Sequence, residues 1–166
     1  MSVLKHCPQC GGVLGNGKHP RICPACGFEW YDNQKPSVTL VIENNAGEVL
    51  LVKRNRDPHK GKWVTPGGFV EFRETAEAAA RREIREELGV KLSSLRYLAT
   101  LSTPYPYRGV AYRLLEIVFQ ARLKKGKVKP TDDAADARWF GAKTVPYARM
   151  AFSTQRRFLR SYFRAR

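Results

Sequence analysis

Glu83, Glu86 and Glu87 stand at spacings i, i+3 and i+4, so a helix over this stretch sets three carboxylates on one face. Like charges placed so repel by roughly 0.2–0.5 kcal/mol per pair. A hard divalent cation turns that repulsion into a binding site, because Mg²⁺ draws its oxygens from a few carboxylates and a substrate phosphate. The chain holds 15 acidic residues against 30 basic ones. Yet Glu71, Glu74, Glu77, Glu83, Glu86 and Glu87 fall in one short segment. Just ahead, Thr65-Pro66-Gly67-Gly68 carries glycines that let backbone approach a ligand closely. The competing account is a solvated helix laced with ion pairs, such as Arg82 to Glu86 at i, i+4.

A second constellation lies at the N-terminus. Cys7-Pro-Gln-Cys10-Gly11 and Cys23-Pro-Ala-Cys26-Gly27 are two knuckles separated by twelve residues, and they use all 4 cysteines of the chain. Four thiolates at this spacing suit a closed tetrahedral Zn²⁺ site of the structural kind. The alternative is two disulfides in an exported domain. Lys5 and His6 interrupt any secretory apolar stretch after Met1, which points to reduced thiols and a cytoplasmic setting. So short a segment builds no core of its own, and metal would supply folding energy on the order of 10–16 kcal/mol. Four thiolates leave His6 and His19 as loop residues, and His59 lies in a polar loop with no evident partner.

The elements that must position these groups follow from local signals. Thr75 is an N-cap candidate, Ala76 to Leu88 is rich in strong helix formers, and Gly89 suits the left-handed position ending a helix. Ser37 to Glu43 and Glu48 to Lys53 read as strands of a hairpin around Asn44-Asn45-Ala46-Gly47. Leu95 to Leu101, Tyr112 to Arg122 and Ala137 to Gly141 read as further strands, and Phe152 to Phe163 as an amphipathic helix. The expected division is a ribbon over residues 1–34, tipped by Gly11 to Gly17, and a catalytic domain over 35–166. No apolar run is long enough to span a bilayer, so no membrane partner is expected.

Taken whole, Gly68, Glu74, Arg82-Glu83-Ile84, Glu86-Glu87 and Gly89-Val90 resemble the Nudix box at all its signature spacings. The resemblance implies an α/β fold, an α/β/α sandwich with a mixed sheet, beside the small zinc ribbon. It implies a hydrolase that uses Mg²⁺ or Mn²⁺ to split a diphosphate bond in a nucleoside diphosphate linked to another group. Carried over by position, Glu83, Glu86 and Glu87 become the metal carboxylates, with the Gly68 carbonyl as a further ligand. Arg82 and Glu74 become the pair that braces loop against helix. The general base in such families lies either within the box or on a later loop, where Asp132, Asp133 and Asp136 form the downstream acidic cluster. Turn chemistry accounts for those aspartates equally well.

A ribbon joined to such a domain is similar to NADH pyrophosphatases and to zinc-ribbon relatives acting on FAD or ADP-ribose. Ser102-Thr103-Pro104-Tyr105-Pro106-Tyr107 partly matches the NADH loop of that group, with Thr103, Arg108 and Val110 departing from it. Tyr105 or Tyr107 would stack on adenine, worth roughly 1–3 kcal/mol, unless the segment is only a proline-stiffened connection. Arg54 and Gly67 are the other expected substrate contacts. The net charge of +15 includes Lys53, Arg54, Arg56, Lys60 and Lys62 near the expected mouth, a patch that would steer an anionic nucleotide. Further basic groups lie at 124–129 and 156–166. The expected partner is therefore a dinucleotide or nucleotide-diphosphate small molecule, with a homodimer allowed. A basic zinc-ribbon protein that binds nucleic acid, or hydrolyses an RNA 5′ cap, is the alternative.

Overall fold

The computed structural model describes residues 4–15, 19–131 and 133–166. Strands β1 (Arg21–Ile22) and β2 (Glu29–Trp30) pair antiparallel in the N-terminal segment. There Cys7, Leu14 and Cys23 form a small core with Leu4, Phe28 and Trp30. Asp32 closes it, accepting from Arg21 Nε at 3.1 Å and Trp30 Nε1 at 2.7 Å.

The remaining strands are β3 (Lys35–Ile42), β4 (Val49–Arg54), β5 (Trp63–Val64), β6 (Leu92–Tyr107), β7 (Val110–Leu123) and β8 (Ala134–Phe140), with helices α1 (Ala76–Leu88) and α2 (Ser153–Arg164). They make two three-stranded sheets. In one the order is β3-β7-β6, with β3 parallel and β6 antiparallel to β7, and in the other β5-β4-β8, all antiparallel. The expected hairpin around Asn44 to Gly47 is corrected. The turn forms, with Asn44 Oδ1 accepting from Ala46 and Glu48 N–H, but β3 and β4 enter different sheets and are joined beside the turn by an isolated bridge between Glu43 and Val49.

Both faces are covered, as the mixed-sheet sandwich requires. Val38, Leu40 and Ile42 point from β3 to a core shared with Ala79, Ala80, Ile84 and Leu88 of α1. Val41 points the opposite way, into a core with Leu159 of α2. This alternation is the period-two consequence of the pleat. Helix α1 begins and ends where expected. Thr75 Oγ1 accepts from Ala78 N–H at 3.2 Å, and Gly89 closes the helix at φ 66°.

Two boundaries differ from expectation. Strands β6 and β7 run through the Ser102 to Tyr107 segment to a tight turn at Arg108-Gly109, both at positive φ. Cross-strand pairs such as Tyr105 with Tyr112 therefore win over loop-forming prolines. Asp136 lies inside β8, opposite Lys53, rather than in a loop before the strand. Asp132 and Gly17 fall outside the described residues.

Candidate active site and zinc cluster

The segment Thr65 to Phe69 runs beside β3, with Val38 N–H donating to Gly68 O at 2.8 Å and Leu40 N–H to Pro66 O at 2.9 Å. Neither glycine takes a Cβ unless a neighbour shifts. A Cβ on Gly67 would lie 2.2 Å from the Val38 carbonyl oxygen, at a φ of 137°. One on Gly68 would lie 2.3 Å from a carboxylate oxygen of Glu83. Bare backbone is thus pressed against both the sheet and an α1 acid. The Gly68 carbonyl, expected to face a metal, already accepts one hydrogen bond from β3, which leaves its second lone pair.

Arg82 holds the acids on the outer side. Its guanidinium donates to both Glu74 oxygens at 3.0 and 2.9 Å, to Glu83 Oε1 at 2.8 Å, to Glu86 Oε2 at 3.0 Å and to Phe69 O at 2.9 Å. The forked pairing with Glu74 has the geometry that makes such bonds strong, and Arg82 holds the Glu74 carboxyl below its ordinary range. The three acids on the α1 face consequently split. Glu83 and Glu86 turn to Arg82, while Glu87 Oε2 accepts from Gly67 N–H at 3.1 Å. Burial pushes the Glu87 carboxyl up to about 8 and raises that of Glu83, each aggravated by a neighbouring acid.

Glu83 and Glu87 line a cleft of about 610 Å³ with Gly67, Gly68, Arg54 and Asp133. Tyr105 and Tyr107 line it too, from the far end of β6. Glu86, Arg82 and Glu74 stand just outside, reaching the cleft through the Arg82 network. Asp133 ion-pairs with Arg56 on the wall. Asp136 does not join them and pairs with Arg138 at 2.8 Å. Of the five basic residues expected at the mouth, Arg54 and Arg56 line the cleft, and Lys35 is a basic residue the motif did not signal.

The expectation that His59 has no partner is also corrected. His59 stands edge-on to Phe152 with ring centroids 5.4 Å apart, and Phe152 lines the cleft. Glu116, Ser37 and Gln155 are further lining residues that no motif marked. An acid in the middle of the apolar β7 stretch, Leu114-Leu115-Glu116-Ile117, was the only available hint.

A hard cation fits the acid end of the cleft. Glu87 is a desolvated carboxyl whose one hydrogen bond among the described residues comes from Gly67, and an all-oxygen donor set around it is what Mg²⁺ takes. The thiol site is more closed. All four sulfurs of Cys7, Cys10, Cys23 and Cys26 lie within 4.8 Å of one another, with Cys7–Cys26 at 3.7 Å and Cys10–Cys23 at 3.6 Å. Zn–S bonds of about 2.3 Å in a tetrahedron require S···S edges of about 3.8 Å, so the donor set fits zinc. The cysteines are unpaired thiols, not disulfides. Gly11 and Gly27 close the two knuckles, donating to Cys7 O and Cys23 O at 2.9 Å.

The NUDIX domain profile matches residues 33–162. The chain is 33% identical over 145 residues to a Pseudomonas aeruginosa protein named NAD-capped RNA hydrolase NudC, covering 86% of this chain and 49% of that one. It spans about half the length of that curated relative. It is 35% identical over 139 residues to an ADP-ribose pyrophosphatase of Methanocaldococcus jannaschii, covering 82% of this chain and 78% of that one. Among solved structures, a NUDIX hydrolase from Nitrosomonas europaea superimposes with a TM-score of 0.74 at 30% identity, covering 98% and 92% of the two chains. With the box folded as a glycine-pressed loop and an acid-bearing helix, and the profile matched over most of its length, this chain belongs to the NUDIX domain family.

Proposed function

We propose that the chain hydrolyses the diphosphate bond of a dinucleotide-type substrate, of the NADH, FAD or ADP-ribose kind, releasing a nucleoside monophosphate such as AMP. The observation that carries this reading is the meeting of Gly67, Gly68, Glu83 and Glu87 at one cleft whose other walls carry Arg54, Arg56 and aromatic rings. A bound Mg²⁺ or Mn²⁺ supplies Lewis-acid polarisation of the phosphoryl oxygens and neutralises charge on the leaving phosphate.

Glu83, Glu86 and Glu87 hold that ion, with the free lone pair of the Gly68 carbonyl as a further oxygen. Arg82 and Glu74 position the acids. Arg54 and the Gly67 backbone hold the diphosphate, and Tyr105 or Tyr107 lies against a ring. Asp133 is the favoured candidate for accepting the proton of the attacking water, because it shares the cleft and Asp136 does not. Cys7, Cys10, Cys23 and Cys26 hold structural Zn²⁺ in a unit spanning 1–34, joined to a hydrolase unit over 35–166. A cytoplasmic setting and a homodimer belong to the same reading.

Hydrolysis at an NAD-type RNA cap uses the same chemistry. It is favoured by the name of the P. aeruginosa relative and by the net charge of +15. Product analysis with NADH, FAD, ADP-ribose and NAD-capped RNA at one fixed Mg²⁺ concentration tests both readings. Monophosphate release from a free dinucleotide supports the first, and release from the capped RNA alone supports the second. Turnover of none, with salt-sensitive RNA binding, refutes the hydrolase.

A further inference from the structure

Glu116 sits on β7, 2% exposed, with Ser37 of β3 as its register partner. Its carboxylate accepts from the hydroxyls of Thr39 and Thr103 and from Gln155 Nε2 at 2.7 Å. Thr103 Oγ1 in turn meets Thr154 Oγ1 at 2.7 Å, so three strands and the start of α2 converge on one carboxyl group. The carboxylate dictates how the Gln155 amide lies. An amide turned the other way would set oxygen against oxygen, so Nε2 faces Glu116 and Oε1 faces away.

That leaves two buried polar atoms flanking Glu116 without a hydrogen-bond partner among the described residues, Gln155 Oε1 and Ser37 Oγ. The two residues are 6% and 4% exposed, and both line the cleft. Natural proteins rarely leave such atoms unsatisfied, and the exceptions need an explanation. Aromatic rings complete the surroundings. Tyr105 and Phe152 are stacked at 5.8 Å, Phe69 meets Tyr105 edge-on at 5.8 Å, and Phe69 is bridged to Ser37 through the backbone. Ser37 and Gln155 thus line the same cleft as these rings, and their orphaned atoms are closed to solvent in the free protein.

We propose that Ser37 and Gln155 read the edge of the substrate's planar ring, selecting one that presents an N–H donor, from a ring amine or a carboxamide, to Gln155 Oε1. Glu116 is the positioning residue that fixes the amide. This assignment rests on the nucleotide-hydrolase reading and adds the residues that choose the ring. A site built to receive a donor rejects the analogue lacking it far more strongly than an apolar pocket rejects a missing methylene.

The test compares kcat/KM of the full chain for two substrate pairs. One is NAD against its analogue with a carboxylate for the carboxamide. The other is ADP-ribose against its analogue with hydrogen for the 6-amino group. The expected result is at least tenfold preference for the N–H-bearing member in one pair, falling to near unity in Gln155→Met. Which pair responds says whether the ring is nicotinamide or adenine. Ser37→Ala guards against a merely unfolded variant, because removing an orphaned buried hydroxyl raises the melting temperature of the free protein while lowering kcat/KM for the preferred substrate. Equal kcat/KM within both pairs overturns the proposal, as does a lower melting temperature for Ser37→Ala. Turnover of none of the four, with NADH, FAD and NAD-capped RNA also left intact, would instead overturn the hydrolase reading. The Ser37→Ala melting temperature then still decides whether that hydroxyl serves the fold or a ligand.

Discussion

At the scale of single residues, two adjacent glycines do different work. A methyl on Gly67 meets the fixed Val38 carbonyl oxygen at 2.2 Å and needs a φ of 137°, so nothing cheap can give way. Gly67→Ala is expected to destabilise the protein by more than about 2 kcal/mol, since the backbone itself must move. A methyl on Gly68 meets the end of the Glu83 side chain, which can swing aside. Gly68→Ala is therefore expected to melt within a few degrees of wild type while losing roughly 10²-fold in kcat, because small displacements of a catalytic group are costly. Thermal melts beside kinetics check the contrast, and a Gly68→Ala enzyme of full activity would remove Glu83 from the site.

At the scale of elements, α1 is held by its ends as well as by its buried face. Thr75→Ala is expected to cost about 1 kcal/mol, the typical worth of an N-cap. A denaturant titration measures it, and an unchanged midpoint would show that tertiary packing carries the helix alone. In the ribbon, Cys23→Ser is expected to lower zinc content and melting temperature together, and unchanged zinc content would contradict the four-thiolate site. The helix could be read from the sequence because cap, helix formers and terminal glycine agree on one boundary. The turn signal at Asn44 to Gly47 does not make β3 and β4 a hairpin, because a turn signal is local, whereas sheet membership is set by what the far strands offer. Here β7 takes β3 while β8 takes β4. Asp133 and Asp136 looked equivalent in sequence, yet only Asp133 lines the cleft, because Asp136 falls within β8.

At the scale of the whole molecule, the box was legible because its chemistry depends on spacing along one helix, and the ring end of the cleft was not. Ser37, Glu116 and Gln155 come from β3, β7 and α2, and their meeting is a property of the sheet order. No helix among the described residues is long and apolar enough to cross a membrane. On the proposed reading the net charge of +15, with Lys35, Arg54 and Arg56 set among the acids of the cleft wall, would steer an anionic substrate toward the cleft. Raising ionic strength from low to physiological values is expected to lower kcat/KM several-fold while leaving kcat nearly unchanged, since screening acts on encounter. A kcat/KM indifferent to salt would make the basic surface irrelevant to capture.

On the proposed function, the α1 acids hold the ion that drives diphosphate cleavage. Mn²⁺ affinity and turnover of the best substrate, measured side by side for wild type and Glu87→Gln, separate this from the alternative. Glu87→Gln is expected to keep its fold, bind Mn²⁺ more weakly and lose turnover by roughly 10²-fold or more. A folded Glu87→Gln protein with wild-type Mn²⁺ affinity and turnover would contradict it.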